Sequence, residues 1–231
     1  MPGPDQQIEA RLRQAARALG RHGLAHAYGH CSIRLDAESF LVCAPRPMGL
    51  IRPGENGTVV SLSGPLPEGV LGEVRVHREI YRRRPGIGGI CRSMPPHVMS
   101  LSVLQRTPRP RHGFGTYFAP APALWDDPQL LRDDASAERL PKTLGEGAAV
   151  MMRGNGCVVA GETLEEAVVL TWYLEDAARV ELDVLKAGMS ESAPVLSAED
   201  ALKRATRDGR IIERMWDYLV AGDPETRDET L

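Results

Sequence analysis

The segment GEVRVHREIYRRRPGIGGICRSMPPH, Gly72 to His97, contains the change of period on which the fold depends. Val76 and Ile80 stand four residues apart with His77 beside them, so Gly72 to Arg84 reads as a helix burying one apolar stripe. Pro85 and Gly86 stop it, because a proline ring lacks the amide hydrogen and clashes with the preceding turn. Ile87 to Cys91 then reads as a short strand, and Pro96 opens the next helix. The three arginines Arg82, Arg83 and Arg84 fall at a helix C-terminus, where the dipole favours cations and no ligand is needed to explain them.

Towards the N-terminus, Ile8, Leu12, Ala15, Ala16 and Leu19 recur at helical spacing, and Gly20 and Gly23 end the run. Strand-like runs follow at Ser32 to Leu35, Phe40 to Cys43 and Thr58 to Leu62, divided by Asp36, Pro45, Pro47, Gly54 and Gly57. They predict an antiparallel meander. Towards the C-terminus, Thr107 to Pro128 is a Pro-, Gly- and aromatic-rich loop of the kind that walls a pocket or an interface. Ala148 to Met152 and Cys157 to Ala160 form two strands around the turn Arg153, Gly154, Asn155, Gly156. Thr163 and Glu166 make a capping box that opens the longest helix. Its stripe, Leu164, Ala167, Thr171, Leu174, Ala178, Leu182 and Leu185, reads as core or subunit interface. Ser197 with Asp200 starts a further helix, Ile211, Ile212, Met215 and Trp216 share an apolar face, and the acidic tail from Asp223 is expected to fray. The fold class that results is α/β: one three-layer αβα domain over residues 1–231, with a mostly antiparallel central sheet and helices on both faces.

At 231 residues and 42% hydrophobic content the chain has enough apolar surface for one sizeable core. A formal net charge of -3 without a basic cluster argues against nucleic acid or an anionic membrane surface as partner, and for a small molecule. Cys31, Cys43, Cys91 and Cys157 form no CxxC pair, so neither a zinc knuckle nor a disulfide framework is indicated. With no apolar run near the roughly 18 residues of a membrane span and no leader pattern at MPGPDQQIEARL, a reducing cytoplasm is the expected location.

Three segments resemble the class II aldolase/adducin family in order and spacing: GHCSIR at Gly29 to Arg34, the Gly72 to His97 stretch, and RGNGCVVAGETLEEA at Arg153 to Ala167. The resemblance spans nearly the whole chain. It implies a class II aldolase-like fold, homotetramers with the pocket at a subunit junction, and three histidines that hold zinc or a related divalent ion. That ion polarises a carbonyl or enediolate oxygen while a nearby carboxylate moves a proton and a carbon–carbon bond breaks. By the same resemblance Glu73 is the acid/base, but Arg92, Met94 and Asn155 stand where the metal-binding histidines would be. A guanidinium cannot give up its proton to bind a cation, and a thioether and an amide are poor substitutes for imidazole. No metal and no other cofactor is therefore expected. His30, Pro45, Arg46, Leu71 and Gly72 replace the hydroxyl and amide groups that sugar-phosphate members use, and Leu174 to Gly188 is closer in texture to the decarboxylase-like branch.

The candidate catalytic residues are thus Glu73, Arg92, Asn155 and Tyr117, and the candidate substrate-binding residues His30, Ser32, Arg46, His77, Met94 and His97. Arg92 is read either as a bidentate clamp on a carboxylate or enolate oxygen, or as an inert partner of Glu73. Asn155 is an oxyanion donor or simply a residue tolerant of a left-handed turn. Tyr117 is an acid on a closing loop or plain packing. His30, His77 and His97 with Cys31 or Cys91 make a relocated metal site, or are ordinary buried side chains. The expectation is a metal-independent lyase acting on a small carboxylated or hydroxylated substrate, aromatic acids included, by decarboxylation, retro-aldol cleavage or enol rearrangement. The alternative is a non-catalytic, adducin-like scaffold.

Overall fold

A computed structural model describes residues 5–226. Helix α1 (Gln6–Arg21) leads into the hairpin β1 (His30–Arg34) and β2 (Ser39–Val42), then β3 (Thr58–Ser61), α2 (Val74–Arg83), β4 (Gly89–Ser93) and α3 (Pro96–Val103). After a 3-10 turn at Gly113–Phe118 come β5 (Ala123–Trp125), α4 (Asp134–Leu144), β6 (Ala149–Met152), β7 (Cys157–Gly161) and the long α5 (Leu164–Lys186), with α6 (Ala198–Arg204) and α7 (Ile211–Val220) to finish. The strands form one sheet in the order β3-β2-β1-β4-β7-β6-β5, antiparallel at every step except the parallel pair of β5 and β6.

Alternation along each strand divides the core in two. Cys31, Leu41, Cys91, Met151, Cys157 and Val159 pack under α1, α3, α5 and α7. Phe40, Val60, Ile90, Val150, Val158 and Ala160 pack under α2 and α4. The three-layer αβα arrangement and the antiparallel meander expected from the sequence are both present. The stripe of α5 from Leu164 to Leu182 lies in the core. Its N-terminus is capped by Thr163, whose hydroxyl accepts from the Glu166 amide at 3.1 Å, while the Glu166 carboxylate reaches back to the Glu162 amide at 2.7 Å. A side chain at Gly89 would place its Cβ 2.2 Å from the Leu164 Cα, so that glycine lets α5 cross directly over β4.

Three local expectations need correction. Strand β4 runs on to Ser93 rather than ending at Cys91, because Arg92 and Ser93, though polar, continue the backbone ladder opposite His30 and Cys157. The long Pro-rich loop contains β5, an edge strand of three residues that is too short to produce a periodic signal. The acidic tail does not fray at Asp223: the Asp223 carboxylate accepts two hydrogen bonds from Arg17 at 2.7 Å, and Glu225 takes one from Arg13 at 2.6 Å and one from Arg17 at 2.7 Å. These ion pairs clamp the described part of the tail onto α1. No described helix is long and apolar enough to cross a membrane.

Candidate active site

Residues two apart on a strand share a face, so His30 and Ser32 of β1 both point into the layer that holds α2. His30 pairs across the ladder with Arg92 of β4. On the far side of β4, the turn after β6 is held by two left-handed glycines, Gly154 at φ 63° and Gly156 at φ 79°. A Cβ at Gly156 would lie 2.0 Å from the Ser93 carbonyl oxygen, so only glycine lets this turn seat on the end of β4. Asn155 is carried to Arg92 by that contact. It is not one of the left-handed residues, so its identity is not explained by turn geometry.

Arg92 is 3% exposed, and most of its donors are engaged within the chain. Nη1 donates to the Ser93 carbonyl at 3.0 Å, and Nη2 donates to Asn155 Oδ1 at 2.9 Å and to Glu73 Oε2 at 3.2 Å. Glu73 occupies the N-cap position of α2 without capping it; its other oxygen accepts from the Leu131 amide at 3.3 Å. Of the two sequence readings, the pairing of Arg92 with Glu73 is present; with both terminal nitrogens bonded within the chain, the guanidinium offers a ligand its Nε rather than a two-pronged grip. Three buried polar atoms of this group have no hydrogen-bond partner: Arg92 Nε, Asn155 Nδ2 and His30 Nε2. Buried polar atoms are almost always satisfied, and here three that are not lie on consecutive neighbours, His30 beside Arg92 on the ladder and Arg92 bonded to Asn155.

Behind His30 runs a buried chain of hydrogen bonds. His30 Nδ1 lies 2.9 Å from His77 Nε2, His77 Nδ1 lies 2.6 Å from Ser32 Oγ, and Ser32 Oγ lies 3.0 Å from the Tyr81 hydroxyl. Tyr81 donates to the Ser32 carbonyl at 3.1 Å. Burial, then the neighbouring His77 and Arg92, holds His30 well below the usual imidazole range. Burial, then Arg92, lowers His77 to about 3, so both rings are neutral at pH 7. His30 borders a small cavity of about 10 Å³, lined also by Cys43, Pro45, Leu71 and Val74, which is roughly the room one water needs.

The structure therefore brings Glu73, Arg92, Asn155, His30, Ser32 and His77 together. It places the remaining candidates outside this bonded group. Met94 follows β4 and is half-buried, its amide donating to the Leu24 carbonyl. His97 pairs with Glu175 at 2.7 Å, the same carboxylate that caps the start of α3. Exposed Arg46 pairs with Glu55. Tyr117 donates to the Thr206 carbonyl and packs on Tyr173 of α5, beside a cleft of about 670 Å³ that contains neither Glu73 nor Arg92. Tyr81 is the member that sequence reasoning missed. Its signal was its spacing of four from His77, which puts both on one face of α2.

A divalent cation does not suit this donor set. The position nearest Glu73 holds a permanently charged guanidinium, and the Asn155 carbonyl oxygen, the one hard donor among the three replacements, is turned onto it. Cys31 and Cys91 face the opposite layer from His30 and His77 and do not join them. Among the described residues no three His, Cys, Asp or Glu side chains are grouped to hold a metal ion.

Sheet order and layers define a mostly antiparallel αβα fold. Residues 10–182 match the class II aldolase and adducin N-terminal domain, and the chain belongs to that family. Among its relatives is the 3,4-dihydroxyphthalate decarboxylase of Arthrobacter keyseri, 30% identical over 75% of this chain and 77% of the relative. An aldolase II superfamily protein from Pseudomonas syringae superposes with a TM-score of 0.80 at 20% identity, covering 95% of this chain and 93% of that one. The l-fuculose-1-phosphate aldolase of Thermus thermophilus gives 0.72 at 28% identity over 83% of this chain and all, 100%, of that one.

Proposed function

We propose that this protein is a decarboxylase of a small hydroxylated aromatic carboxylate, of the 3,4-dihydroxyphthalate class, working by fixed protein charge rather than a divalent metal. The observation that carries this reading is the trio of buried, unpartnered atoms around Arg92. Arg92 Nε–H and the Asn155 Nδ2 amide are donors without an acceptor, and a carboxylate or the oxyanion that follows from it would supply one. Retro-aldol cleavage and enol rearrangement would call on the same donors. Family membership supports a lyase, and three relatives named as 3,4-dihydroxyphthalate decarboxylases, at 25% to 30% identity, favour decarboxylation among the three.

In this scheme Arg92 and Asn155 orient the carboxylated carbon and stabilise negative charge as it develops. Glu73, held by Arg92 and the Leu131 amide, carries the proton that replaces carbon dioxide on the ring. The exposed apolar side chains Tyr28, Leu50, Val103 and Leu104 support the homo-oligomer, a tetramer by family resemblance, as the working form.

The test is release of carbon dioxide from 3,4-dihydroxyphthalate by protein stripped with a chelator and assayed for metal content. Turnover is expected to survive stripping, and Glu73→Gln is expected to lower it by roughly two to four orders of magnitude. Turnover that vanishes with the metal and returns with one ion per subunit would overturn the metal-independent scheme. No turnover and no stabilisation by any hydroxyaromatic acid would favour the adducin-like scaffold.

A further inference from the structure

We propose that His30 is a second catalytic residue, accepting the proton of a ring hydroxyl ortho to the departing carboxylate, with His77, Ser32 and Tyr81 positioning it. This rests on the decarboxylase reading and narrows its substrate to ortho-hydroxy aromatic carboxylates. The first support is the direction of the hydrogen-bond chain. Its far end is the Ser32 carbonyl, which can only accept, so the Tyr81 proton is committed there at 3.1 Å. The Tyr81 oxygen is then free to accept from Ser32 Oγ at 3.0 Å, and Ser32 Oγ in turn accepts from His77 Nδ1 at 2.6 Å. That leaves His77 Nε2 bare to accept from His30 Nδ1 at 2.9 Å. Every contact is satisfied, and His30 Nε2 is left as a bare nitrogen, buried and without a partner.

The second support is complementarity. Arg92, the ladder partner of His30, and Asn155, bonded to Arg92, each carry an unpartnered donor, Nε and Nδ2. Two donors and one acceptor on successive neighbours suit a carboxylate and a hydroxyl on adjoining ring carbons. The cavity bordering His30 is lined also by Leu71 and Val74, which stand on either side of Glu73 in the chain. The groups facing His30 are His77 from α2, Arg92 from β4 and, around the cavity, Cys43, Leu71 and Val74.

The step balances without an oxidant or a reductant. The phenolic O–H bond breaks as the proton passes to His30 Nε2, and the electron pair moves into the ring. The carboxylated carbon takes a proton that Glu73 relays from solvent. The bond to the carboxylate then breaks, its electron pair restores an aromatic phenolate, and carbon dioxide leaves. The phenolate oxygen recovers its proton from His30. The sum is one carboxylate plus one proton giving one arene and one carbon dioxide.

The test compares salicylate, 2-methoxybenzoate and benzoate as ligands of the full-length protein, with turnover of 3,4-dihydroxyphthalate alongside. In wild type, salicylate should bind roughly tenfold tighter than benzoate, and in ¹⁵N-histidine spectra should move the bare Nε2 resonance that His30→Gln removes. The methoxy analogue should do neither. His30→Gln should keep benzoate affinity, lose the preference for salicylate, and lower kcat about 100-fold. Tyr81→Phe should redistribute the His30 tautomer in the same spectra and lower kcat several-fold with KM unchanged, an effect that simple loss of packing would not produce. Arg92-dependent benzoate binding with no preference for the hydroxyl, or near-wild-type kcat in a folded His30→Gln variant, would overturn the proposal while leaving the decarboxylase reading intact. Absence of any Arg92-dependent binding would remove that reading, and this proposal with it.

Discussion

Arg17 and Arg92 are both buried guanidiniums, at 6% and 3% exposure, yet their hydrogen bonds are distributed in opposite ways. Arg17 uses every nitrogen: Nε and Nη2 grip Asp223, Nη2 also holds Glu225, and Nη1 donates to the Ile51 carbonyl. Arg92 leaves Nε idle, and its neighbours Asn155 and His30 each leave an atom idle too. The first cluster joins the described tail to α1 and has nothing left to offer. The second leaves polar capacity unused at a cost in stability, which fits the ligand site proposed above.

The largest effect should come from Arg92→Met. Removing a preorganised donor and its charge should lower 3,4-dihydroxyphthalate turnover about 1,000-fold, roughly 4 kcal/mol of transition-state stabilisation, while the urea midpoint moves little. Glu73 keeps the Leu131 amide in that variant, and its side chain is 18% exposed so water can solvate it; the buried Asn155 Oδ1 is left without its donor, at about 1 kcal/mol. Arg17→Met should do the reverse. It leaves Asp223, whose side chain is fully buried, with only Arg21 at 3.5 Å and the Glu225 amide at 3.0 Å, and should cost about 3 kcal/mol of unfolding free energy, with kcat unchanged. Denaturation and steady-state kinetics on the two variants would break the comparison if the losses fell on the same property in both.

A pH titration of stability separates the clusters again. His77 is held at about 3 in the folded state against 6.5 when exposed, and His30 is lowered in the same direction. In that window the unfolded chain binds more protons, so stability is fully present above about pH 6.5 and falls as the pH drops, by up to about 1.4 kcal/mol per unit for each ring. At Asp223 and Glu225, burial opposes ionisation, but the hydrogen bonds from Arg17 and Arg13 outweigh it and hold both carboxyls below their ordinary values of 3.8 and 4.5. Their contribution is present above those values and lost only as the pH falls further. His77→Gln should flatten the upper limb and Arg17→Met the lower one, as read by urea unfolding at stepped pH.

The two clusters also differ in how far the sequence revealed them. Period and punctuation carry the layers: the Val76 and Ile80 stripe, the Pro85 stop, and the Thr163 cap all act over a few residues, and the structure follows them. Glu73, Arg92 and Asn155 were legible because their spacing follows the family's pattern. The tail clamp was not, because the partner of Asp223 lies 206 residues away and an acidic terminal run gives no local sign of a buried arginine. The chain from His30 to Tyr81 was half legible. Periods of two on β1 and four on α2 put His30 with Ser32 and His77 with Tyr81, but only the packing of helix on sheet fixes which nitrogen meets which oxygen.

The smallest effect should come from Asn155→Ala. Deleting a buried hydrogen-bonding side chain ordinarily costs the bond plus the desolvation of the group left behind. Here the deletion removes one bond, from Arg92 Nη2 at 2.9 Å, and also removes an Nδ2 that had no partner. Arg92 Nη2 keeps Glu73 as an acceptor, and nothing else is newly stranded. The two contributions oppose each other, so the net loss should be about 1 kcal/mol or less, while benzoate affinity falls several-fold because an anion-facing donor is gone. A loss near that of Arg17→Met, with benzoate affinity intact, would mean that Asn155 belongs with the saturated cluster and that its free amide is not held for a ligand.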